Sequence, residues 1–326
     1  MRRREFITFV GSAAVAWPFA ARAQQTARTQ TIGFLGASTQ SATGVWADAF
    51  VQRLNQLGWS EGHNLAIVYR WADGKPERAS AFAAELVRLG VSVIVTHANM
   101  GVAAAKQATS TVPIVFGAMG DPVDAGLVVS LTHPGGNITG QSLQQTEAAA
   151  KRLEILHEVV PGLKRLGILS NTNNRAAMLE MDQVRLAARK LDLEITAAKL
   201  RGVDDILPAF DEFKGHVDAL YFCNDPLLTA NRTRLAILSA AARLPTAFNF
   251  RENVEAGGLL SYGPNVPELF RHAAEMVDKI LRGTKPGDIP IEQPTKFDLI
   301  INLTTARALG INVPPLMLTR AEEVIE

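Results

Sequence analysis

The chain has 326 residues, more than one hydrophobic core usually organises, so about two domains are expected. Its 33 basic and 32 acidic side chains form no basic block in the body, which excludes nucleic acid as a partner, because that binding needs a clustered cationic face to displace counterions. Beyond the N-terminus no segment approaches the roughly 20 apolar residues that span a bilayer, and the single cysteine, Cys223, excludes an internal disulfide.

Arg2, Arg3 and Arg4 precede an apolar run from Phe6 to Phe19, and Ala21-Arg22-Ala23 supplies a small-x-small cleavage pattern, so residues 1–23 read as an export signal. Arg3-Arg4-Glu5-Phe6-Ile7 has the form of a twin-arginine signal, which a receptor reads before the folded protein is exported; a general secretory signal with one extra arginine is the alternative. Cleavage would leave 29 basic and 31 acidic side chains and place Gln24 first, not the cysteine that a lipid anchor requires. A periplasmic protein that is not a lipoprotein is the expectation.

After the polar stretch 24–30, short apolar runs alternate with amphipathic segments, the mark of β-α units and a parallel sheet. Strands are expected at Thr31–Leu35, Leu65–Tyr69, Val91–Val95 and Pro113–Phe116, with helices at Val45–Leu57, Glu77–Leu89 and Val102–Ala108. Gly117–Gln141 breaks the rhythm with six glycines and two prolines, so a domain crossing is expected there. The alternation then restarts: a helix at Thr146–Val159, a strand at Arg165–Leu169, a helix at Ala176–Lys190, a strand at Leu193–Ala197 and a helix at Val203–Phe213. Strands at Ala219–Phe222 and Thr246–Asn249 flank a helix within Leu227–Ala242. A strand at Leu259–Tyr262, a helix at Pro267–Leu281, a strand at Phe297–Ile301 and a short helix at Thr304–Leu309 are too few for a third core. They are expected to return and complete the first two, with several crossings acting as a hinge. The implied division is lobe 1 from 28–120 plus about 257–290 and lobe 2 from 121–256 plus about 291–326.

Several motifs fail on context. Gly58-Trp59-Ser60-Glu61-Gly62 has the spacing of a hydrolase nucleophile elbow but lies on a helix-to-strand turn, whereas that motif needs a strand-to-helix turn. Gly33-Phe34-Leu35-Gly36 lacks the full dinucleotide-binding spacing, and no cofactor is expected. The six histidines stand singly, so no metal site is expected. Cys223 reads as a packed thiol. What recurs is small polar residues just past strand ends: Ser38, Thr39 and Gln40; Thr96, His97 and Asn99; Asn171, Thr172 and Asn173; Asn224 and Asp225; Asn249 and Arg251. Ligands of open parallel sheets bind at those ends, where amides, hydroxyls and helix N-termini converge. The same residue types also cap helices. Trp46, Trp71 and Phe250 are candidate aromatic walls or core residues.

Gly120-Asp121-Pro122 through Ala125-Gly126-Leu127-Val128, Pro134-Gly135-Gly136-Asn137-Ile138-Thr139-Gly140, Glu255-Ala256-Gly257-Gly258-Leu259, Ser261-Tyr262-Gly263-Pro264-Asn265 and Glu292-Gln293-Pro294-Thr295-Lys296-Phe297 together resemble the ABC-transporter substrate-binding family, TrpX-like branch. That resemblance spans the body of the chain. It implies a type I periplasmic-binding-protein fold: α/β, two Rossmann-like lobes with parallel sheets, three crossings and a ligand cleft between the lobes. It further implies a monomer that binds a small-molecule ligand, an amino acid or small organic acid, by lobe closure and serves an ABC permease in the inner membrane, without catalysis. By the same resemblance Ser38, Thr39, Gln40, Thr96, His97 and Asn99 would hold the ligand from lobe 1, and Asn173, Asn224, Asp225 and Asn249 from lobe 2, with Asp225 on a ligand amine. Two rival classes remain at this stage: an exported α/β hydrolase using Ser60 or Cys223, and a ligand-sensing module of a membrane receptor.

Overall fold

The computed structural model describes residues 29–326, and the expected export signal lies outside the described residues. The first sheet contains β1 (Gln30–Gly36), β2 (Leu65–Trp71), β3 (Val93–Thr96), β4 (Ile114–Met119) and β5 (Ile138–Ser142). Its order is β2-β1-β3-β4-β5 and every pairing is parallel. The crossovers α1 (Gln40–Gln56), α2 (Pro76–Arg88) and α3 (Ala98–Ala108) cover both faces. Because both faces are covered, β3 and β4 are buried at every position, which is why they read as unbroken apolar runs.

The second sheet has the order β12-β11-β10-β9-β8-β6-β7. Its strands are β6 (Arg165–Asn171), β7 (Glu194–Leu200), β8 (Ala219–Phe222), β9 (Thr246–Phe248), β10 (Leu260–Gly263), β11 (Asp298–Asn302) and β12 (Glu323–Ile325). Only β10 and β11 pair antiparallel. The helices of this half are α4 (Gln145–Val159), α5 (Arg175–Lys190), α6 (Ile206–Phe213), α7 (Pro226–Ala230), α8 (Arg232–Ala241) and α9 (Arg251–Glu255). The expected helix within Leu227–Ala242 is thus two helices, broken at Asn231, whose Nδ2 donates to the Leu227 carbonyl at 2.8 Å.

The chain crosses between the halves three times: from β5 into α4, from β10 into α10 (Val266–Leu281), and between Ile291 and β11. α10 buries Leu269, Phe270, Ala273 and Val277 against Trp46 and Phe50 of α1, so the first lobe is completed by a helix that follows the second sheet in sequence. Two of the expected boundaries are corrected. β5 lies beyond residue 121 yet extends the first sheet, since the Ile114 amide bonds to the Asn137 carbonyl and β5 pairs with β4. β10 lies beyond residue 257 yet belongs to the second sheet, bonded to β9 and β11. The chain ends with α11 (Leu303–Leu309), α12 (Pro315–Arg320) and β12.

Candidate functional site

In each sheet the strand order reverses at a switch point where the loops diverge and leave a crevice. The first opens between β1 and β3, the second between β6 and β8, and the two crevices face each other. The inner chamber between them spans about 380 Å³ of space free of atoms, part of it open to solvent, and is lined by Ser38, Trp46, His97, Asn99, Gln145, Asn174, Asn224 and Phe250, among others. It continues past Asn99, Asn174 and Pro226 into an outer groove of about 970 Å³, where Met100, Ala103 and Leu127 face Asn171, Asn173, Arg175 and Asp225.

The lobes touch across this cleft. Ser38 Oγ donates to the Pro226 carbonyl at 3.3 Å, and Arg232 Nη2 to the Ser41 carbonyl at 2.9 Å. Trp46 Nε1 donates to Glu252 Oε1 at 2.5 Å. Gly74 has a positive φ of 72°, and a β-carbon there would stand 3.1 Å from Leu227 Cα, so only glycine permits this approach without strain.

On the first lobe, His97 follows β3 and is 4% exposed. Its Nε2 accepts the Ala37 amide at 3.0 Å, which places the proton of the neutral ring on Nδ1. Burial pushes its pKa down to about 3. The indole of Trp46 meets His97 edge-on at 5.3 Å and Phe250 at 5.5 Å, forming an aromatic inner wall. Asn99 lies in the first turn of α3, and its buried Nδ2 has no hydrogen-bond partner among the described residues. Ala98 beside it holds a left-handed φ of 56°, a conformation that non-glycine residues keep mainly where surrounding structure enforces it.

On the second lobe, Asp225 caps α7 and is buried. Burial raises its pKa, opposed by hydrogen bonds from Asn174 and Asn171. Beneath the cleft floor lies a polar cluster within the core. Glu180 Oε1 accepts from Arg152 Nη1 at 2.7 Å, Tyr221 at 2.8 Å and Asn249 Nδ2 at 3.0 Å; Oε2 accepts from Gln145 Nε2 and the Asn224 amide, each at 2.7 Å. Arg152 and Glu180 are 1% and 0% exposed. Burial raises the Glu180 pKa, while Arg152 and hydrogen bonds from the Asn224 amide, Tyr221 and Gln145 oppose it. Such a pair persists in an apolar interior only with its remaining lone pairs satisfied.

Of the residues expected to bind, Ser38, His97, Asn99 and Asn224 line the inner chamber, and Asn173 and Asp225 line the outer groove. Four lie off the cleft. Thr39 caps α1 by accepting the Ala42 amide, and Gln40 is exposed at its first turn. Thr96 donates its hydroxyl to the Leu35 carbonyl at 2.8 Å, tying β3 to β1. Asn249 is drawn into the core by Glu180. Gln145 and Asn174, missed from the sequence, supply amides to the chamber, as does the backbone at Gly120, where a β-carbon would stand 2.8 Å from Gln145 Oε1 and 3.1 Å from Asn99 Oδ1. Of the aromatic candidates Trp46 and Phe250 form a wall, whereas Trp71 packs on Phe34 in the first core. Cys223 is buried and burial pushes its thiol pKa well up; Ser60 sits in the turn after α1, its amide bonded to Asn64 Oδ1. Among the described residues no group of three His, Cys, Asp or Glu stands as a metal cage, and no helix is long and apolar enough to cross a membrane.

Two α/β lobes, three crossings and a polar-and-aromatic cleft at the carboxyl ends of both sheets define a solute-binding protein of the type I periplasmic-binding fold. The family described as ABC transporter substrate binding protein matches residues 42–325, and the chain belongs to that family, whose members bind solutes and are not enzymes. A tyrosine-binding protein of Clostridioides difficile is 27% identical over 262 residues, 80% of this chain and 75% of the relative. A conserved domain protein from Vibrio cholerae superposes with a TM-score of 0.86 at 28% identity, over 91% of this chain and all of that one. A Streptococcus pneumonia domain solved in complex with L-Trp gives 0.83 at 23% identity, over 90% of this chain and 100% of that chain.

Proposed function

We propose that this chain captures an amino acid with an uncharged, aromatic side chain in the interlobe cleft and presents it, lobes closed, to an ABC permease for import. The observation that carries this reading is the lining of the inner chamber: amides, one hydroxyl pair and an aromatic wall, with no Lys, Arg, Asp or Glu and a histidine held neutral. A net-charged solute would be stripped of water there without a counter-ion, which is costly. A zwitterion is suited, because its carboxylate can take backbone amides at helix N-termini such as that of α3, and its ammonium can take side-chain carbonyls. An aromatic side chain matches the edge-on Trp46 and Phe250. The relative named for tyrosine and the structure solved with L-Trp point the same way. The arginine pair and apolar run in residues 1–23 support export to the periplasm, by the twin-arginine route, and the protein acts there as a monomer.

A thermal-shift screen over amino acids, organic acids and nucleosides tests this. At about 100 times its dissociation constant a true ligand adds about 2.7 kcal/mol of stability. L-tyrosine or L-tryptophan should raise Tm; a shift with organic acids or nucleosides alone would contradict the reading.

A further inference from the structure

Resting on the reading of the ligand as an amino acid, we infer that Glu180, fully buried behind the chamber lining, is the positioning residue that turns the Asn224 carbonyl oxygen outward, making Asn224 Oδ1 the acceptor for the ligand ammonium.

The orientation of a carboxamide is set by its partners, and here the partners form a relay with one direction. A carboxylate can only accept. Glu180 Oε2 therefore holds Gln145 by Nε2, at 2.7 Å, and the Ala176 carbonyl at 3.4 Å takes the same group. Gln145 Oε1 is thereby committed as an acceptor and receives Asn224 Nδ2 at 3.2 Å. The Asn224 amide nitrogen being used, its Oδ1 is left, and it makes no hydrogen bond within the described residues while the side chain lines the inner chamber. The obvious rival acceptor already holds three donors: Asp225 Oδ1 takes Asn171 Nδ2 at 3.1 Å and the Leu227 amide at 2.8 Å, and Oδ2 takes Asn174 Nδ2 at 2.8 Å. Asn174 Oδ1 is likewise committed, to the Ala176 amide at 3.1 Å. Across the chamber, Asn99 Nδ2 is a donor without a partner among the described residues. The cleft is thus polarised, with a donor on lobe 1 for a ligand oxygen and an acceptor on lobe 2 for a ligand N–H.

Glu180→Gln reverses the relay. Oε1 faces three donors, Arg152 among them, and Oε2 two, so the amide oxygen of the substituted side chain takes the Oε1 side and its NH2 faces Gln145 and the Asn224 backbone amide. Gln145 then turns, Asn224 turns in response, and an N–H points into the chamber. Asn224→Asp added to that variant restores an acceptor, because a carboxylate has no donor to turn outward. Asn224→Leu removes the acceptor without changing a side chain that bonds to Glu180, since Asn224 reaches Glu180 through its backbone amide.

Isothermal titration of the wild-type protein and these variants with L-tyrosine, L-tryptophan and their deaminated analogues, hydroxyphenylpropionate and indolepropionate, reads the relay as a ratio of affinities. The wild type should prefer the amine-bearing compound by at least about tenfold, the worth of a hydrogen bond to a charged group. Glu180→Gln and Asn224→Leu should each remove that preference, and Glu180→Gln with Asn224→Asp should restore it. General damage to the fold would weaken both compounds alike and leave the ratio unchanged. A wild-type ratio kept in folded Glu180→Gln or in Asn224→Leu overturns the relay, as does a wild type that binds both compounds equally. A wild type that binds none of the four overturns the amino-acid reading itself.

Discussion

His97 shows how one residue is fixed by its surroundings. Its Nε2 accepts the Ala37 amide, so protonation would set two N–H groups against each other in a buried site. The folded-state pKa of about 3 lies below the ordinary 6.5, so between these values the unfolded chain binds the extra proton. Stability from this residue is therefore complete above about pH 6.5 and is lost on acidification, at up to about 1.4 kcal/mol per pH unit. His97→Gln keeps an acceptor for Ala37 and cannot titrate. Denaturant melts from pH 7 to pH 4 should show a smaller stability loss for this variant than for the wild type; parallel slopes would show that His97 does not titrate as described. His97, Asn99 and Asn224 were legible because they lie within three residues of strand ends. Arg152 and Glu180 were not, because each lies mid-helix and looks like a solvated charge. The missed signal is periodicity: Glu180 falls on the stripe of Ala176, Ala177, Met181 and Val184, and Arg152 on that of Ala148, Ala149 and Leu156. A charge on the apolar face of each of two helices marks a buried pair.

At the scale of elements, α10 is the clearest case of a helix whose stability and placement come from the tertiary fold. Phe270 is fully buried, its ring 5.9 Å from Trp46, 6.0 Å from Phe34 and 6.1 Å from His97, joining the helix to the core and to the cleft wall. Phe270→Ala should cost about 3–5 kcal/mol in equilibrium denaturation. A loss below about 1 kcal/mol would mean that α10 is not integral to the first lobe. Most strands and helices were readable from apolar runs and their glycine stops. β5 was not: its Ile-Thr-Gly-Gln-Ser sequence has one large apolar residue, and it is a strand because β4 offers an edge and Gly140 allows the close approach to the Phe116 carbonyl, 2.2 Å from where a β-carbon would lie. β12 is short and half-buried and takes its place from pairing with β11, which local sequence cannot report.

For the whole molecule, the two-lobed plan was legible in the restart of the β-α rhythm after the glycine-rich stretch, while the sheet to which each crossing segment belongs was not, since pairing partners are distant in sequence. The three crossings leave hinge motion as the low-cost motion, and the left-handed φ of 46° at Gln144 lies on the first of them. The interlobe contacts of Ser38, Ser41 and Trp46 are single hydrogen bonds, so a ligand bridging both lobes can shift the balance between open and closed states by its contacts to the second lobe alone.

That closure is measured most directly by single-molecule energy transfer between dyes on cysteines introduced at Val45 of α1 and Ile237 of α8, both exposed, with the native Cys223 buried. Closing around a guest predicts that saturating L-tyrosine or L-tryptophan moves the population to the shorter-distance state, and that Asn224→Leu requires more ligand for the same shift. Binding confirmed by titration without any change in the distance distribution would contradict it.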